Sequence, residues 1–332
     1  MRVGIVGAGA VGGFVAVALS AAGTEVVLVG RSKLDAADQL VLVRRNGSRL
    51  SPGAGLTITR DLERLADCDA VLVTVKAQDT DAVAQKLATI LRPETPIVSF
   101  QNGISNLERL RKHWRGPVLG AVVGFNVACE GAVRRQLTIG TLMAEDSPTT
   151  RALKAAIERT GIRLDLTSDI EGRIAGKLLI NLANGVAGAT GLPTAALLTS
   201  ADARFCIAQC VREGLWVMRA SGMQPARVTI VSPAVFARAL LLPNWFLSPF
   251  VRAFVDREAR ASTLQDLESG KATEIQELNG ALTRLGQPAP INQLVTEIVE
   301  GHTQHGYVTP ADLRRRIETI KETIKERRAT VA

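Results

Sequence analysis

Three glycines near the amino terminus have the spacing of a phosphate-binding turn. The stretch Gly7-Ala8-Gly9-Ala10-Val11-Gly12 follows the apolar run 3–6 and precedes an alanine-rich segment. In such a strand, turn and helix, Gly7 permits the tight turn, Gly9 the close approach of a pyrophosphate, and Gly12 the packing of helix on strand. Because the first amides of the helix face the phosphates, these six residues are predicted to bind a dinucleotide. The alternative is a buried helix, rich in alanine and glycine, that binds nothing.

The residues after the second predicted strand indicate which dinucleotide would bind. An NAD site usually carries an aspartate or glutamate here, which accepts hydrogen bonds from the adenosine ribose. The β-branched run 24–29 is followed instead by Gly30-Arg31-Ser32. A guanidinium cannot accept a hydrogen bond, but it pairs well with a 2′-phosphate. Arg31 therefore predicts NADP (NADPH) as the cofactor, unless it is only a solvated loop charge.

Two further predicted strands end in polar residues. The apolar runs 69–75 and 96–100 are typical of parallel strands, and they are followed by Lys76 and by Gln101-Asn102-Gly103. Ligands of open parallel sheets lie beyond the carboxyl ends of the strands. We therefore expect Lys76 and Asn102 to face the cofactor, although a surface charge is the alternative for Lys76.

A lysine and two asparagines lie at helical spacing in an otherwise apolar segment. In the predicted helix 171–186, Arg173, Lys177 and Asn181 follow one another at four-residue intervals. Asn184 is three residues further on, so all of these side chains lie on or near one face. Buried polar groups need partners. These side chains either hydrogen-bond to nearby backbone groups or face a ligand.

A second polar set lies around Ser262 and Glu274. The segments 261–270 and 272–285 are each predicted to form a helix. Neighbouring threonines would cap these two helices, and in that interpretation the polar residues around Ser262 and Glu274 have a structural role only.

Length, charge and composition narrow the class of protein. The chain has 332 residues, enough for two domains, and its 46% hydrophobic and 22% charged residues are those of a globular protein. The net charge is +8 but only 4% of the residues are aromatic. Binding of single-stranded nucleic acid is excluded, because it needs aromatic side chains among the basic ones. Of the remaining classes, a double-strand binder and an enzyme with anionic ligands, the motifs favour the enzyme, with no nucleic-acid partner.

The cysteines and the uncharged runs bear on metal binding and location. Four cysteines are too scattered for a disulfide framework, and none has a histidine at zinc-ligand spacing. We therefore expect no metal site and a cytoplasmic location. The uncharged run 3–24 could pass for a signal peptide, but its glycine spacing is that of the dinucleotide-binding turn. The run 178–201 contains asparagines, glycines and a proline that would be costly in lipid, so no membrane segment is expected.

The chain is expected to fold as an α/β protein with two domains. After Asp169, a suitable helix N-cap, apolar residues recur at helical spacing and strand patterns disappear. The prediction is a Rossmann-type doubly wound sheet over 1–168 and an all-helical domain over 169–332. Further strand patterns in the first part lie at 118–127, 132–139 and 162–166.

The sequence resembles the ketopantoate reductase (2-dehydropantoate 2-reductase) family. The resemblance rests on GIVGAGAVGG with Arg31, on VTVKAQD, QNG and GKLLINLANG, and on STLQDLESGKATEIQELNG, and it spans nearly the whole chain in order. It implies a Rossmann domain, an all-helical domain, and an active site in the cleft between them. It also implies NADPH-dependent reduction of 2-dehydropantoate, a small anionic 2-oxo acid, to pantoate on the route to coenzyme A.

By position, the resemblance assigns catalytic roles to side chains of the second half. Lys177 would be the general acid, Asn181 would contact a substrate hydroxyl, and Ser262 would bind the end of the substrate. Hydride addition to a 2-oxo carbon creates an alkoxide, which a nearby ammonium can protonate and stabilise. Partial burial should lower the pKa of such a lysine toward the working pH.

The resemblance also implies cofactor contacts, and it contains one departure. Glu274 would close on the cofactor, while Lys76 and Asn102 would hold its nicotinamide side. A second substrate asparagine, often found eight residues after the catalytic lysine, is Gly185 here. Asn184, one residue earlier, is therefore included among the predicted substrate-binding residues.

The apolar stretch 240–250 is extra relative to the shorter family members. It carries Trp245, Phe246 and Phe250, which suit core or dimer packing, so that a homodimer stays open, or a lid over a larger substrate. The alternative functions are reduction of another branched or apolar 2-oxo acid and non-catalytic sensing of NADP(H). Hydroxyisobutyrate and glycerol-3-phosphate dehydrogenases share the two-domain plan but fit the late STLQD motif poorly.

Overall fold

A computed structural model describes residues 1–30, 39–228, 231–254 and 259–331. The chain divides into two compact units, Met1–Ile174 and Ala175–Ala332. The division follows Ile174, whereas the sequence pattern put it after residue 168. The first unit contains a mostly parallel sheet with helices and the second is helical, which confirms the expected fold class.

The described residues of the first unit form twelve strands in two sheets. In chain order they are β1 (Arg2–Val6), β2 (Glu25–Val29), β3 (Val41–Val43), β4 (Arg49–Leu50), β5 (Leu56–Thr59), β6 (Ala70–Val73), β7 (Ile97–Ser99), β8 (Val118–Val123), β9 (Val127–Glu130), β10 (Val133–Gln136), β11 (Leu142–Glu145) and β12 (Leu164–Thr167). The large sheet has the order β12-β11-β8-β7-β6-β1-β2-β5, and the small sheet has the order β4-β3-β10-β9.

The large sheet places β1 at the point where the strand order reverses. β1 pairs in parallel with β2 on one side and with β6 on the other, and β6 pairs in parallel with β7. Val3 and Ile5 of β1 are fully buried, as in parallel strands covered on both faces. In such sheets ligands bind at the carboxyl ends of the strands beside the reversal. The fold therefore puts the glycine-rich turn and the ends of β6 and β7 along one sheet edge.

Four α-helices lie wholly within the described residues of the first unit, and the first of them is the most enclosed. They are α1 (Ala10–Ala21), α2 (Thr80–Ile90), α3 (Asn106–His113) and α4 (Pro148–Glu158). The Phe14 ring of α1 lies 5.1 Å from that of Phe125, and β9 and β10 of the small sheet also pack against this helix. The small sheet thus helps to fix the position of α1.

The small sheet corrects the predicted strand limits. The pattern over 118–127 is two strands, β8 in the large sheet and β9 in the small one, and the pattern over 132–139 shortens to β10. The chain leaves the large sheet at Gly124, where the amide donates to the Thr141 carbonyl at 2.9 Å and a Cβ would crowd that same carbonyl. The limits of β9 and β10 were predicted wrongly because an apolar sequence pattern does not show where the chain passes from one sheet to another.

All regular secondary structure in the described residues of the second unit is helical. The helices are α5 (Ile170–Thr190), which begins in the first unit, and then α6 (Thr194–Thr199), α7 (Ala201–Ala220), α8 (Pro233–Ala239), α9 (Asn244–Phe254), α10 (Ser262–Glu268), α11 (Pro290–Glu300), α12 (His302–His305) and α13 (Pro310–Val331). Asp169 caps α5 as predicted, because its Oδ1 accepts the Gly172 amide at 3.0 Å. The long helix α7 packs against α6, α8, α11 and α13.

The helix predicted over 272–285 is wrong. The structure has two short 3-10 helices instead, Ile275–Glu277 and Asn279–Leu285, separated by Leu278 in a non-helical conformation. The reason is Asn279, whose fully buried Nδ2 donates to Asn292 Oδ1 at 2.9 Å and to the Leu182 carbonyl at 3.4 Å. Such side-chain hydrogen bonds compete with the regular helix.

The aromatic stretch 240–250 is held at its start by a buried arginine. Arg204 of α7 is 3% exposed and donates to the carbonyls of Leu240 and Leu242 and to Asn244 Oδ1 at 2.6–3.1 Å. Trp245, the next residue, is 76% exposed. The beginning of the stretch is therefore fixed to α7, whereas the side chain of Trp245 is mostly exposed.

A buried polar network holds the core of the second unit. Glu213 of α7 accepts the amides of Ile291 and Asn292 at 3.0 and 2.8 Å, and its Oε2 also accepts Asn292 Nδ2 at 2.8 Å. Asn292 in turn bonds Asn279, which reaches the Leu182 carbonyl of α5. Glu213 thus caps α11 from another helix, and the network extends to the helix that carries the catalytic candidates.

The described residues contain neither a membrane-spanning helix nor a cluster of metal ligands. Among the described residues no helix is long and apolar enough to cross a membrane. The same residues contain no cluster of three or more histidine, cysteine or acidic side chains that could hold a metal ion.

We expect Glu213→Ala to destabilise the protein by about 2–3 kcal/mol, because two buried amides lose their acceptor. Urea denaturation followed by circular dichroism measures the change. Glu322→Ala removes an exposed carboxylate from α13 and is the matched control. Equal midpoints for the two variants would show that the cap contributes nothing to stability.

Candidate active site

The loop between β1 and α1 leaves no space for side chains on its sheet side. Gly7 has a φ of 109°, and a Cβ there would lie 2.8 Å from Thr74 Oγ1. A Cβ at Gly12 would collide with the carbonyl oxygen of Gly7. Apart from the adjoining backbone, no atom of the described residues lies within 4 Å of the position that a Cβ at Gly9 would occupy. The loop is therefore closed toward the sheet and open at Gly9.

The open side of this loop suits the pyrophosphate of a dinucleotide. Gly9 is the N-cap of α1, and no side chain caps the helix there. The amides of the first turn, which include those of Ala10 and Val11, can therefore serve an anion. An open glycine backbone together with an uncapped helix start is the donor arrangement that a phosphate group needs.

The end of β2 lies beside the same loop. A Cβ at Gly30 would collide with the Cβ of Ala8, so the two backbones are in close contact. Arg31, predicted to select NADP, and Ser32 lie outside the described residues.

Thr74 supports the turn from the neighbouring strand, and sequence reasoning missed it. Its hydroxyl lies 2.9 Å from the Val6 carbonyl and 2.8 Å from the Gly7 carbonyl, at the end of β6. The available signal was a hydroxyl residue at the carboxyl end of an otherwise apolar strand, two positions before Lys76, the expected cofactor contact.

Arg134 supports the loop from the small sheet and was also missed. Its guanidinium is 1% exposed and donates to the carbonyls of Ala8 and Gly9 at 3.0 and 2.9 Å. Nothing in its local sequence pointed to this contact, because the partners are 125 and 126 residues away.

The ends of β6 and β7 are joined by a chain of side-chain hydrogen bonds. Gln101 donates to the Val75 carbonyl at 3.0 Å and to Thr80 Oγ1 at 2.7 Å. Thr80 donates to Asn106 Oδ1 at 2.9 Å, and Asn106 Nδ2 donates to the Asn102 carbonyl at 2.6 Å. The peptide segments that carry the two predicted cofactor contacts are thereby fixed to each other.

Lys76 and Asn102 both lie just after the carboxyl ends of their strands. Lys76 is half-buried and directly precedes a short 3-10 helix, Ala77–Asp79, while Asn102 is exposed at the end of the β7 segment. Since β1, β6 and β7 are adjacent and parallel, the glycine-rich loop, Lys76 and Asn102 all follow the carboxyl ends of neighbouring strands.

The polar residues of α5 form one face of that helix. With about 100° between successive residues, Asn181 and Asn184 lie about 40° and 20° from the direction of Lys177. Lys177 and Asn184 are half-buried, and Asn181 is 7% exposed. The ammonium and two amides thus share one partly enclosed surface of the second unit.

Burial lowers the pKa of Lys177 to about 8. The physical cause is the loss of hydration of the ammonium, which disfavours the charged form. A lysine that titrates near neutrality can donate a proton and become neutral without a large free-energy cost, which is the property needed in a general acid.

Asn184 is placed against Ser262. Its Nδ2 donates to Ser262 Oγ at 3.2 Å, although the two residues are 78 positions apart. Ser262 is the exposed first residue of α10. The structure therefore brings together two of the predicted substrate-binding residues.

Gly185, the position where the family often has asparagine, faces the interior of the second unit. It lies about 80° from the direction of Lys177. A Cβ there would collide with Asn279 Oδ1 and would lie 2.9 Å from Val295 Cγ1. Asn184 is thus better aligned with Lys177 than any side chain at position 185 could be.

Glu274 precedes the first 3-10 helix of the second unit. It is half-buried, and its carbonyl accepts the amides of Glu277 and Leu278 at 2.8 and 3.1 Å. Its backbone position is therefore fixed by the turn that follows it.

We expect Gly185→Asn to lower the thermal unfolding midpoint, equivalent to about 1–3 kcal/mol of overpacking, because the space is filled by Asn279 and Val295. The control Asn184→Ala changes a half-buried residue one position away and should leave the midpoint nearly unchanged. A Gly185→Asn protein as stable as the unmodified one would contradict the packing described above.

Comparison with known proteins agrees with these features. Residues 3–143 match the family model described as Ketopantoate reductase PanE/ApbA, and residues 169–320 match its C-terminal counterpart. The chain is 30% identical over 315 residues to 2-dehydropantoate 2-reductase of Archaeoglobus fulgidus, which covers 90% of this chain and 97% of that protein. It is also 34% identical over 248 residues to a glycerol-3-phosphate dehydrogenase of Azorhizobium caulinodans, over 70% and 72% of the two chains.

A solved structure supports the same relationship. The PanE/ApbA family ketopantoate reductase from Ralstonia eutropha JMP134 superposes with a TM-score of 0.75 at 27% identity and covers 90% of this chain and 97% of that one. The family models together match most of the chain, so the resemblance found in the sequence motifs is confirmed. The chain belongs to the ketopantoate reductase family and is an oxidoreductase that acts on a 2-oxo acid with a nicotinamide cofactor.

Proposed function

We propose that the protein reduces 2-dehydropantoate (ketopantoate) to pantoate with NADPH, as a step of pantothenate and coenzyme A biosynthesis. The observation that carries the proposal is Lys177, with a pKa lowered to about 8, on one helix face with Asn181 and Asn184 in a chain of this family. An ammonium and amides at this spacing suit a substrate that has a carbonyl, a hydroxyl and a carboxylate.

The cofactor would be held by the first unit at three places. The loop Gly7–Gly12 would bind the pyrophosphate through backbone amides, and Lys76 and Asn102 would hold the nicotinamide side. Arg31 would pair with the 2′-phosphate and so select NADPH over NADH. Glu274 is a further residue that we assign to the cofactor. When bound, NADPH supplies the hydride.

The substrate would be held by the polar face of α5. Asn181 would contact the substrate hydroxyl, and the bonded pair Asn184 and Ser262 would bind the far end of the substrate. Because the Asn184 amide already donates to the serine, the serine hydroxyl proton is left to donate to a substrate oxygen.

Lys177 would provide the proton that completes the reduction. When the carbonyl carbon of the 2-oxo acid becomes tetrahedral, its oxygen carries negative charge, and the adjacent ammonium stabilises that charge and then transfers its proton to the oxygen. The lysine becomes neutral and regains a proton from solvent. Its lowered pKa makes this exchange easy near neutrality.

We expect Lys177→Ala to lower kcat for ketopantoate reduction by about a hundredfold or more. In the unmodified enzyme kcat should fall as the pH rises above about 8, because the ammonium is lost with the pKa of about 8. Steady-state NADPH oxidation measured between pH 6 and pH 10 checks both statements. A variant with near-normal turnover would remove Lys177 from the mechanism.

The same lysine should limit stability. Between the folded pKa of Lys177, about 8, and its ordinary value of 10.5, the unfolded chain binds more protons than the folded one, so the free energy of unfolding rises with pH. Below that range the lysine is charged in both states, and the full cost of burying its charge is present. Lys177→Met should therefore raise the free energy of unfolding at pH 7, by as much as ~3 kcal/mol. Lys271→Met replaces an exposed lysine of the same unit and is the control.

The proposed activity is tested by NADPH and NADH oxidation against a panel of ketones. The panel contains ketopantoate, other branched and apolar 2-oxo acids, and dihydroxyacetone phosphate, the ketone counterpart of glycerol 3-phosphate. We expect the largest kcat/KM with ketopantoate and NADPH, and we expect Arg31→Ala to reduce that preference for NADPH about tenfold or more while NADH is unaffected.

The outcomes of the panel separate the alternatives. Greater activity on another 2-oxo acid would replace ketopantoate as the substrate and keep the chemistry. Activity on dihydroxyacetone phosphate would place the function with the glycerol-3-phosphate dehydrogenases. Tight NADPH binding without oxidation of any ketone would favour a sensor.

A further inference from the structure

The small sheet of the first unit places one arginine directly behind the glycine-rich loop. We propose that Arg134 is a positioning residue that holds this loop in its pyrophosphate-binding form by fixing two of its peptide planes. The inference deepens the proposed function and rests on the cofactor site described there. Neither the glycine motif nor the family resemblance assigned a role to Arg134.

Within the described part of the chain, the guanidinium of Arg134 is hydrogen-bonded to backbone carbonyls alone. Nε donates to the Gly9 carbonyl at 2.9 Å, and Nη2 donates to the Ala8 carbonyl at 3.0 Å. Nη1 donates to the Gly131 carbonyl at 2.7 Å and lies 3.3 Å from the carbonyl of Val133. The fork of the guanidinium thus spans from the turn before β10 to the start of α1.

These contacts set the direction of the amides that a phosphate would use. In a trans peptide the carbonyl of one residue and the amide of the next point in opposite directions. With the Ala8 and Gly9 carbonyls directed at Arg134, the amides of Gly9 and Ala10 point away from it. Gly9 also accepts the Gly13 amide at 3.0 Å, so its carbonyl is engaged on both sides.

Gly13 gives independent support for the arrangement. A Cβ at Gly13 would collide with Arg134 Nε and would lie 3.1 Å from both Cγ and Cδ of that side chain. The dinucleotide motif ends at Gly12 and gives no reason for a glycine at the next position. Arg134 occupies the space that a side chain at position 13 would need.

Charge adds to geometry at this position. Arg134 is 1% exposed, and no carboxylate of the described residues forms an ion pair with it. Burial lowers its pKa, but an arginine stays protonated at neutral pH. Because the guanidinium is buried, water screens its charge less than that of an exposed arginine, and this charge favours an anion on the other side of the loop.

Three variants separate the contributions of shape, hydrogen bonds and charge. Arg134→Met removes the fork and the charge but keeps much of the volume. Arg134→Lys keeps the charge, yet a single ammonium cannot reproduce the planar fork. Gly13→Ala keeps the arginine at position 134, but the added Cβ pushes its guanidinium away from the loop. The control is Arg135→Met on the same strand, since Arg135 is bonded to the exposed carboxylate of Glu130 instead.

The test compares ligands with and without a pyrophosphate. We expect Arg134→Met to raise the Kd of NADPH and of NADH by the same factor, about tenfold or more, because both contain the pyrophosphate. The Kd of adenosine 2′-monophosphate, which lacks it, should stay within about twofold. Arg134→Lys and Gly13→Ala should weaken both dinucleotides in the same selective way, and Arg135→Met should change none of the three. Isothermal titration calorimetry on the full-length protein gives these constants.

Two results would overturn the inference. Equal weakening of all three ligands would mean that Arg134 only stabilises the fold, and unchanged dinucleotide binding in any folded Arg134 variant would mean that the loop does not need it. Failure of the proposed cofactor would look different, because the unmodified protein itself would then bind NADH more tightly than NADPH or would bind neither. If Arg134→Met does not fold, the milder variants Arg134→Lys and Gly13→Ala decide the question.

Discussion

The close approach of backbone to backbone at the turn after β1 is the constraint on which the first unit depends. Gly12 touches the carbonyl of Gly7, and Thr74 bonds that same carbonyl from the next strand. Because this turn consists of glycine and alanine, it has no long side chains of its own that could fix its shape, and neighbouring elements must do so. The strand order of the large sheet supplies one neighbour in β6, and the small sheet supplies another in Arg134.

The second unit depends on the opposite kind of arrangement, in which polar side chains are placed inside an apolar helical core. Hydrogen bonds link Glu213 to Asn292 and Asn292 to Asn279, Glu213 also accepts amides at the start of α11, and Asn279 reaches the backbone of α5. A buried network of hydrogen bonds between helices favours one arrangement of those helices. It therefore fixes the rotation of α5, and with it the face that carries Lys177.

Much of this could be predicted because it is encoded locally. The glycine spacing, the apolar strand of β6, the Asp169 cap and the polar face of α5 each lie within one short segment, and the structure has all of them. The resemblance to a family then connected these segments to a reaction. The roles of the individual site residues remain predictions that the proposed variants test.

What could not be predicted depends on contacts between distant parts of the chain. The strands of the small sheet have two to four residues each, too few to show which sheet they join, and β3 and β4 matched no predicted strand pattern. The segment 272–285 has the composition of a helix, but the buried bonds of Asn279 break it. In the same way, the inward direction of Gly185 is set by Asn279 and Val295, which only the folded unit brings next to it.

The pairing of Gly13 with Arg134 also constrains how this protein can change over generations. A side chain gained at position 13 first would meet a guanidinium in a space that is already full. Loss of the arginine leaves a cavity, which a later substitution at position 13 can occupy, and carbonyls of Ala8 and Gly9 without their donor. A side chain at position 13 is therefore accommodated more easily after the arginine is lost than before, and the glycine motif, which ends one residue earlier, gives no sign of this dependence.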